Sequence, residues 1–479
     1  MDITHALVLG AVLALCVFYA RLNSKFSRLP PGPPGLPIIG NILQVPSKLT
    51  FLKFAHWVKQ YGPIYSINVL GQPWVVISDI DTAADILDRM SNETGERPRL
   101  IKANEFLEHG RNLSIMPKND LWRAMRKATH ESLNGRAITN RLFIQEEEAA
   151  LQVQGLLLHP EIPIEAPVHR ITSSLNMRNL YGMPSIPLQG PSPSHRLEEI
   201  GKVLFDAMVP GRSAVNIFPP LKYLIARSQW LRGPADKIYK ESTDECIKLL
   251  RSEPVDGDRF LSSALREKQS IHGMCLEDSA WLVGMLHLVA QYTTSIAILW
   301  LIMAFTLYPE VVKKGQLELD SVVGHHPPTF EDLTQLPYLE AIVKEVLRWR
   351  PPGPMSVAIN RDPTAYSNGH GFNPDRFLTS ENEIREPPSD THDDFLSFGY
   401  GRRVCPGREV AIRTLKICAA YLLWAFDFQK ARDDDGNELF PNDMDMMDVG
   451  PTVYPAPFQS QMIPRHPDLE ERLRHCGPK

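Results

Sequence analysis

A chain of 479 residues that is 43% hydrophobic can bury one large core or two to three ordinary ones. Its formal net charge of -5, with no basic block and no nucleic-acid motif, gives no electrostatic case for DNA or RNA as a partner. Six cysteines, Cys16, Cys246, Cys275, Cys405, Cys418 and Cys476, are scattered without framework spacing, which argues against a disulfide scaffold and for a reducing compartment.

The first segment, Ile3 to Ala20, is almost wholly apolar and is followed by Arg21, Lys25 and Arg28. It is just long enough to span a bilayer. The charge follows the apolar run instead of preceding it, so residues 1–22 read as a retained single-pass anchor, with a cleaved signal peptide as the alternative. The positive-inside rule then places the body in the cytosol. Residues 23–46 form a basic, proline-rich hinge. Its stretch Leu29 to Pro37 cannot be helical and is expected to be stiff and extended. Strand-like runs follow at Ile64 to Val69 and Trp74 to Ile77, and then helical patterns continue to about residue 350. The triplets beginning at Asn92 and Asn112 match glycosylation acceptors and are silent in a cytosolic body.

Trp281 to Tyr308 could cross a membrane by length, but His287, Gln291, Thr293, Thr294 and Ser295 interrupt it. Polar groups are costly in lipid, so a long helix through a soluble core is expected. Glu345 and Arg348 lie three apart on one helical face, where they can pair. Turns and short strands are expected after residue 350, with a surface loop over Ser380 to Asp394 and a polar tail from 466 to 479.

Cys405 sits in a different setting from the other cysteines. Gly399, Gly401 and Gly407 permit a tight turn around it, and an apolar helical run, Val410 to Phe426, begins just beyond. The sulfur is therefore expected near a helix N-terminus, where free N–H groups and the charges of Arg402, Arg403 and Arg408 favour a thiolate. A single thiolate argues against zinc and iron–sulfur sites, which need several protein ligands. One axial thiolate on a haem iron fits, and a buried structural cysteine is the alternative.

The pattern Phe398, Gly401, Arg403, Cys405, Gly407 resembles the haem-binding signature of the cytochrome P-450 family. Three further segments resemble that family in the expected order. These are Trp122 with Arg126, the Val289 to Thr294 stretch, and Glu345 with Arg348 followed by Arg376. The resemblance implies a mainly α fold with a minor β portion, in which residues 47–465 form one large catalytic domain behind the anchor.

It also implies haem b on Cys405, with Trp122, Arg126 and Arg403 at its propionates and Phe398 in the cofactor set. A buried cluster of Glu345, Arg348 and Arg376 would lock the core. On the oxygen side, Thr293 takes the alcohol position and Ala290 the small one, while Tyr292 stands where an acid is usual. Phe106, Thr293, Val357 and Val453 would lie near substrate.

The closing segment, Val449 to Phe458 and Met462 to Arg465, resembles fungal members that tailor secondary metabolites. Such enzymes sit on the endoplasmic reticulum membrane, take electrons from an NADPH-cytochrome reductase that holds the NADPH and flavins, and oxidise lipophilic small molecules such as terpenoids.

After Ala358 the family's usual strand pair and short helix are missing, about 25 residues by the ordinary lengths of such elements. Two other functions stay open at this point. Tyr292 would suit a non-oxygenase isomerase or dehydratase, and the shortening would suit an impaired, haem-poor membrane protein.

Overall fold

The computed structural model describes residues 28–190, 192–209, 212–254, 260–267, 273–387, 396–474, 476 and 477. The expected anchor lies outside them. The proline-rich connector is extended, as its composition requires, but it is not a free spacer. Pro31 and Pro30 accept hydrogen bonds from the backbone N and hydroxyl of Ser66 at 3.3 and 2.6 Å. A Cβ on Gly32 would come within 1.8 Å of the Ser66 carbonyl oxygen, so only glycine permits this approach. The folded body therefore begins near Pro30 instead of at residue 47.

Helix α1 (Thr50–Tyr61) packs Phe54 and Trp57 on Tyr65 and Ile67 of strand β1 (Ile64–Val69), which pairs antiparallel with β2 (Gln72–Ile77). Leu70 and Gly71 both have positive φ, the conformation of a tight two-residue hairpin turn. Strand β2 begins two residues earlier than the sequence suggests, running through Pro73. A proline lacks a ladder donor but is tolerated in an edge strand.

Helices α2 (Asp120–Leu133), α3 (Leu142–Leu158), α4 (Glu165–Asn176), α5 (His195–Met208) and α6 (Gln229–Leu250) follow. They lead to the 32-residue α7 (Leu276–Leu307). Cys275 and Asp278 close the start of α7 as a capping box. Among the described residues α7 is the one helix long and apolar enough to cross a membrane, yet 78% of its apolar window is buried in protein. It is a core helix, as its polar interruptions suggest. Gly201 of α5 and Gly284 of α7 are points of close approach. A Cβ on the first would come 2.7 Å from Leu288, and one on the second 2.4 Å from the Cys246 sulfur on α6.

Helix α8 (Pro309–Val322) supplies Glu318, whose carboxylate accepts the N–H groups of Tyr338 and Leu339 at 2.8 and 2.9 Å. These are orphan donors of the first turn of α9 (Pro337–Trp349). Short 3₁₀ turns fill residues 354 to 377, and α10 (Arg408–Ala425) then passes directly into β3 (Phe426–Lys430). The small sheets are completed by β4 (Met446–Val449) paired with β5 (Thr452–Pro455), and by β6 (Ser460–Pro464) paired with β3. Helices α4, α5, α6, α9 and α10 all pack on α7, whose side chains form the middle of the main core. The polar end of the chain carries one further turn, Leu469–Leu473, whose two leucines are buried.

Candidate active site

The turn before α10 places Cys405. Gly399 and Gly401 have φ of 71° and 56°, and a Cβ on Gly401 would come 2.4 Å from the Leu87 carbonyl oxygen. Gly407 differs, with φ of -92° and only an ordinary contact, the Cys405 sulfur at 4.0 Å, where a Cβ would stand. Its contribution is its N–H, which with that of Arg408 is directed at the Cys405 sulfur. The Cys405 N–H donates to the Phe398 carbonyl at 2.8 Å, so Phe398 fixes the turn through its backbone while its ring packs on the main core. Burial raises the thiol's pKa, and the two N–H groups with Arg126 and Arg408 only partly offset it. A bound metal ion removes such a proton outright.

Around this turn the structure gathers three guanidiniums. Arg126 on α2 donates to the Val404 carbonyl at 2.8 Å, and Arg403 lies over the Trp122 ring at 4.5 Å. Burial, joined by repulsion from Arg97 and Arg126 and opposed by the pull of Glu96, lowers Arg403 to about 10. Burial also lowers Arg97 and Arg126. Trp122 is buried, with its indole N–H lacking a partner among the described residues. An unpartnered donor beside crowded cations suits a dianionic group, and haem with its two propionates fits it. The three nitrogens of Arg403 donate to the carbonyls of Gly95, Leu113 and Met116, so it staples the turn to the 95–116 segment and supports Trp122. Arg97 was not legible in the sequence, where it is one charge in a polar run.

On α7, residues Leu286, Val289, Ala290, Thr293 and Thr294 keep partial exposure while the residues between them are buried. The spacing of three and four makes one open stripe along the helix. Ala290 and Thr293 lie on it, and the Thr293 hydroxyl donates back to the Val289 carbonyl at 2.8 Å, leaving its lone pairs available. Tyr292 does not join them. Only 8% exposed, its ring sits edge-on to Phe205 at 4.9 Å, and its hydroxyl points to the Glu198 carbonyl at 3.4 Å. Burial pushes its phenol up to about 12. Tyr292, which stands where the family resemblance puts an acid, is therefore turned away from Thr293, because α5 packs against that side of α7 and covers the ring.

Of the residues expected near substrate, Val357 and Val453 are buried with Phe51 in a separate cluster near α1. Phe106 remains partly exposed.

The locking cluster is present in full. The five N–H groups of Arg348 go to both carboxylate oxygens of Glu345, at 2.6 and 2.7 Å, and to the carbonyls of Asn360, Gly369 and Gly371. Arg376 adds bonds to Glu345 at 3.1 and 3.2 Å. Glu345 and Arg348 are fully buried.

A model described as Cytochrome P450 matches residues 30–358 and 355–451. The match divides where the shortening was expected. Cytochrome P450 monooxygenase 58 of Postia placenta is 34% identical over 508 positions, covering 98% of this chain and 95% of that one. Those positions outnumber the 479 residues here, so part of the relative has no counterpart. A cytochrome P450 monooxygenase of Armillaria gallica is 33% identical, covering 98% and 96%. A zebra fish cytochrome P450 solved with abiraterone matches 87% of this chain and all of its own with a TM-score of 0.68 at 21% identity, a likeness of fold. Matched over most of its length and by fungal relatives from end to end, the chain belongs to the cytochrome P450 family and is a monooxygenase carrying haem b on a cysteine thiolate.

Proposed function

We propose that Cys405 is the axial ligand and that the enzyme oxidises a lipophilic small molecule, a terpenoid or similar secondary metabolite, with dioxygen. The observation that carries this is the pair of N–H groups directed at the Cys405 sulfur beneath three crowded guanidiniums and an unpartnered Trp122 N–H. Haem held there by Cys405 would supply the activation of dioxygen for insertion, and a thiolate ligand would lend it electron density. The N–H groups of Gly407 and Arg408 stabilise charge on the sulfur and orient it. Trp122 and Arg126 hold the propionates, with Arg97 supplying further positive charge. Ala290 leaves room on the open stripe of α7, and Thr293 accepts and donates a hydrogen bond at its Oγ1.

The apolar residues of that stripe, Leu286 and Val289, offer a water-poor wall to a lipophilic substrate. Electrons come from an NADPH-cytochrome reductase that holds the NADPH and flavins. Residues 1–22 anchor the chain to the endoplasmic reticulum membrane with the body in the cytosol. The exposed Phe218, Tyr223, Leu224 and Trp230 support a membrane-facing surface, the last being 85% exposed.

The reduced carbon monoxide spectrum tests the ligand. The wild-type protein should give the Soret band of a thiolate-ligated haem, and Cys405→Ser should lose it. Replacing any of the other five cysteines should leave the band in place. A band that survives Cys405→Ser would overturn the assignment.

A further inference from the structure

Strand β2 pairs with β1 and with no other strand among the described residues. In an antiparallel pair, two residues opposite each other either exchange both hydrogen bonds or both turn their backbone groups away. On β1 the outward residues are identified by their other partners. The Ser66 N–H goes to the Pro31 carbonyl at 3.3 Å, the Asn68 carbonyl takes the Asn41 N–H at 2.6 Å, and the Asn68 N–H goes to Asn41 Oδ1 at 2.8 Å. Opposite Ser66 and Asn68 stand Val75 and Pro73, and Ile77 follows in the same phase. These three residues therefore turn their backbone groups to the open edge of β2, where none of those groups has a partner among the described residues.

The open edge adjoins the shortening. Ile359, which follows Ala358 directly, is buried with Ala83, Ala84 and Tyr400, and Ile77 at the end of β2 packs on that cluster. The chain thus lacks its strand pair at the place where β2 lacks a neighbour. Sheet edges are ordinarily blunted by charges, prolines or a covering segment. Gln72 to Ile77 carries no charged residue, Pro73 removes one donor near the turn, and Val75 at the centre is 45% exposed.

We propose that this edge is a self-association surface, on which a second copy of the chain pairs its own β2 antiparallel to this one about a two-fold axis at Val75. An antiparallel edge is its own complement under such a rotation. With the axis at Val75, the two Val75 residues exchange both N–H and carbonyl bonds, and each Ile77 N–H meets the Pro73 carbonyl of the opposite strand. Pro73 then falls where its carbonyl is used. An axis at Pro73 would set two residues without an N–H face to face. An axis at Ile77 would run the pairing into Asp79, whose side chain already caps the next helical turn by accepting from the Thr82 N–H. Because β2 is uncharged, the two copies meet at the centre without like charges opposite each other.

Haem-loaded full-length protein in detergent micelles reports the pairing through light scattering and sedimentation at rising concentration. The wild type should pass from one copy to two. Val75→Pro removes an N–H that β1 does not use, and Val75→Lys sets like charges opposite each other. Each should weaken association about tenfold or more, the scale of losing interface hydrogen bonds or opposing two charges, with the haem spectrum unchanged. Val75→Glu should do the same, and mixing it with Val75→Lys should restore the pair, since position 75 faces itself in this register alone. A wild type that stays single at every concentration overturns the proposal. So does a pair that survives Val75→Pro and Val75→Lys, or one that the mixture of the lysine and glutamate variants fails to restore. A lysine variant that associates like wild type but loses binding to phospholipid vesicles would make the edge a membrane contact, and that result overturns the pairing as well.

Discussion

Glu108 shows what burial does to a residue that no motif marks. Its side chain is completely enclosed, accepts from Asn112 at 2.9 Å, and leaves its second oxygen unpartnered. Burial pushes the acid up to about 8, above its value in the unfolded chain. The folded state then binds more protons than the unfolded state between roughly pH 4 and 8, so stability contributed by this group falls as pH rises through that window and levels off above it. Glu108→Gln, which stays neutral, should therefore gain on wild type with rising pH. Thermal unfolding at pH 5 and pH 8.5 reads this, and an equal difference at both values would refute it. His287 acts in the opposite sense, losing stability as pH falls from its unfolded value near 6.5 toward 4. Cys405, Glu345, Arg348 and Arg376 were legible because their meaning lies in spacing along the chain. Glu108 and Arg97 were not, because what sets them apart is the desolvation and neighbours that folding supplies.

The shortened stretch after α9 is closed by one side chain. The remaining N–H groups of Arg348 reach three carbonyls between residues 360 and 371, so this guanidinium both neutralises Glu345 and holds the turn segment against the helix. Arg348→Lys keeps the charge but has three donors in place of five and cannot grip a carboxylate in two places. It should destabilise the fold by about 3 to 5 kcal/mol, the range for breaking a buried pair. The check is chemical denaturation together with haem content after purification, and a variant with wild-type values on both would contradict the clamp. Elements with a clean period were read correctly: β1, the body of β2, α7 as a core helix, and α10. The side of α7 on which Tyr292 falls was not, since a helical repeat gives neighbouring residues different faces without saying which face a partner such as α5 will cover.

For the whole molecule, the body and its attachment are separable. If residues 1–28 hold the protein on microsomes with the body in the cytosol, added protease should digest the body in intact vesicles, and a carbonate wash should leave the chain membrane-bound. Full protection would reverse the orientation, and release would remove the anchor. The body itself is organised around α7, about 48 Å long at 1.5 Å per residue. Two close approaches, Gly201 against Leu288 and Gly284 against Cys246, fix its rotation relative to its neighbours. The helix therefore works as a ruler with a set angular origin. One residue inserted between Gly284 and Thr293 would turn Thr293 by about 100° and carry it off the open stripe into packed core. Between Gly284 and Thr293 the chain can therefore change its side chains but not its count.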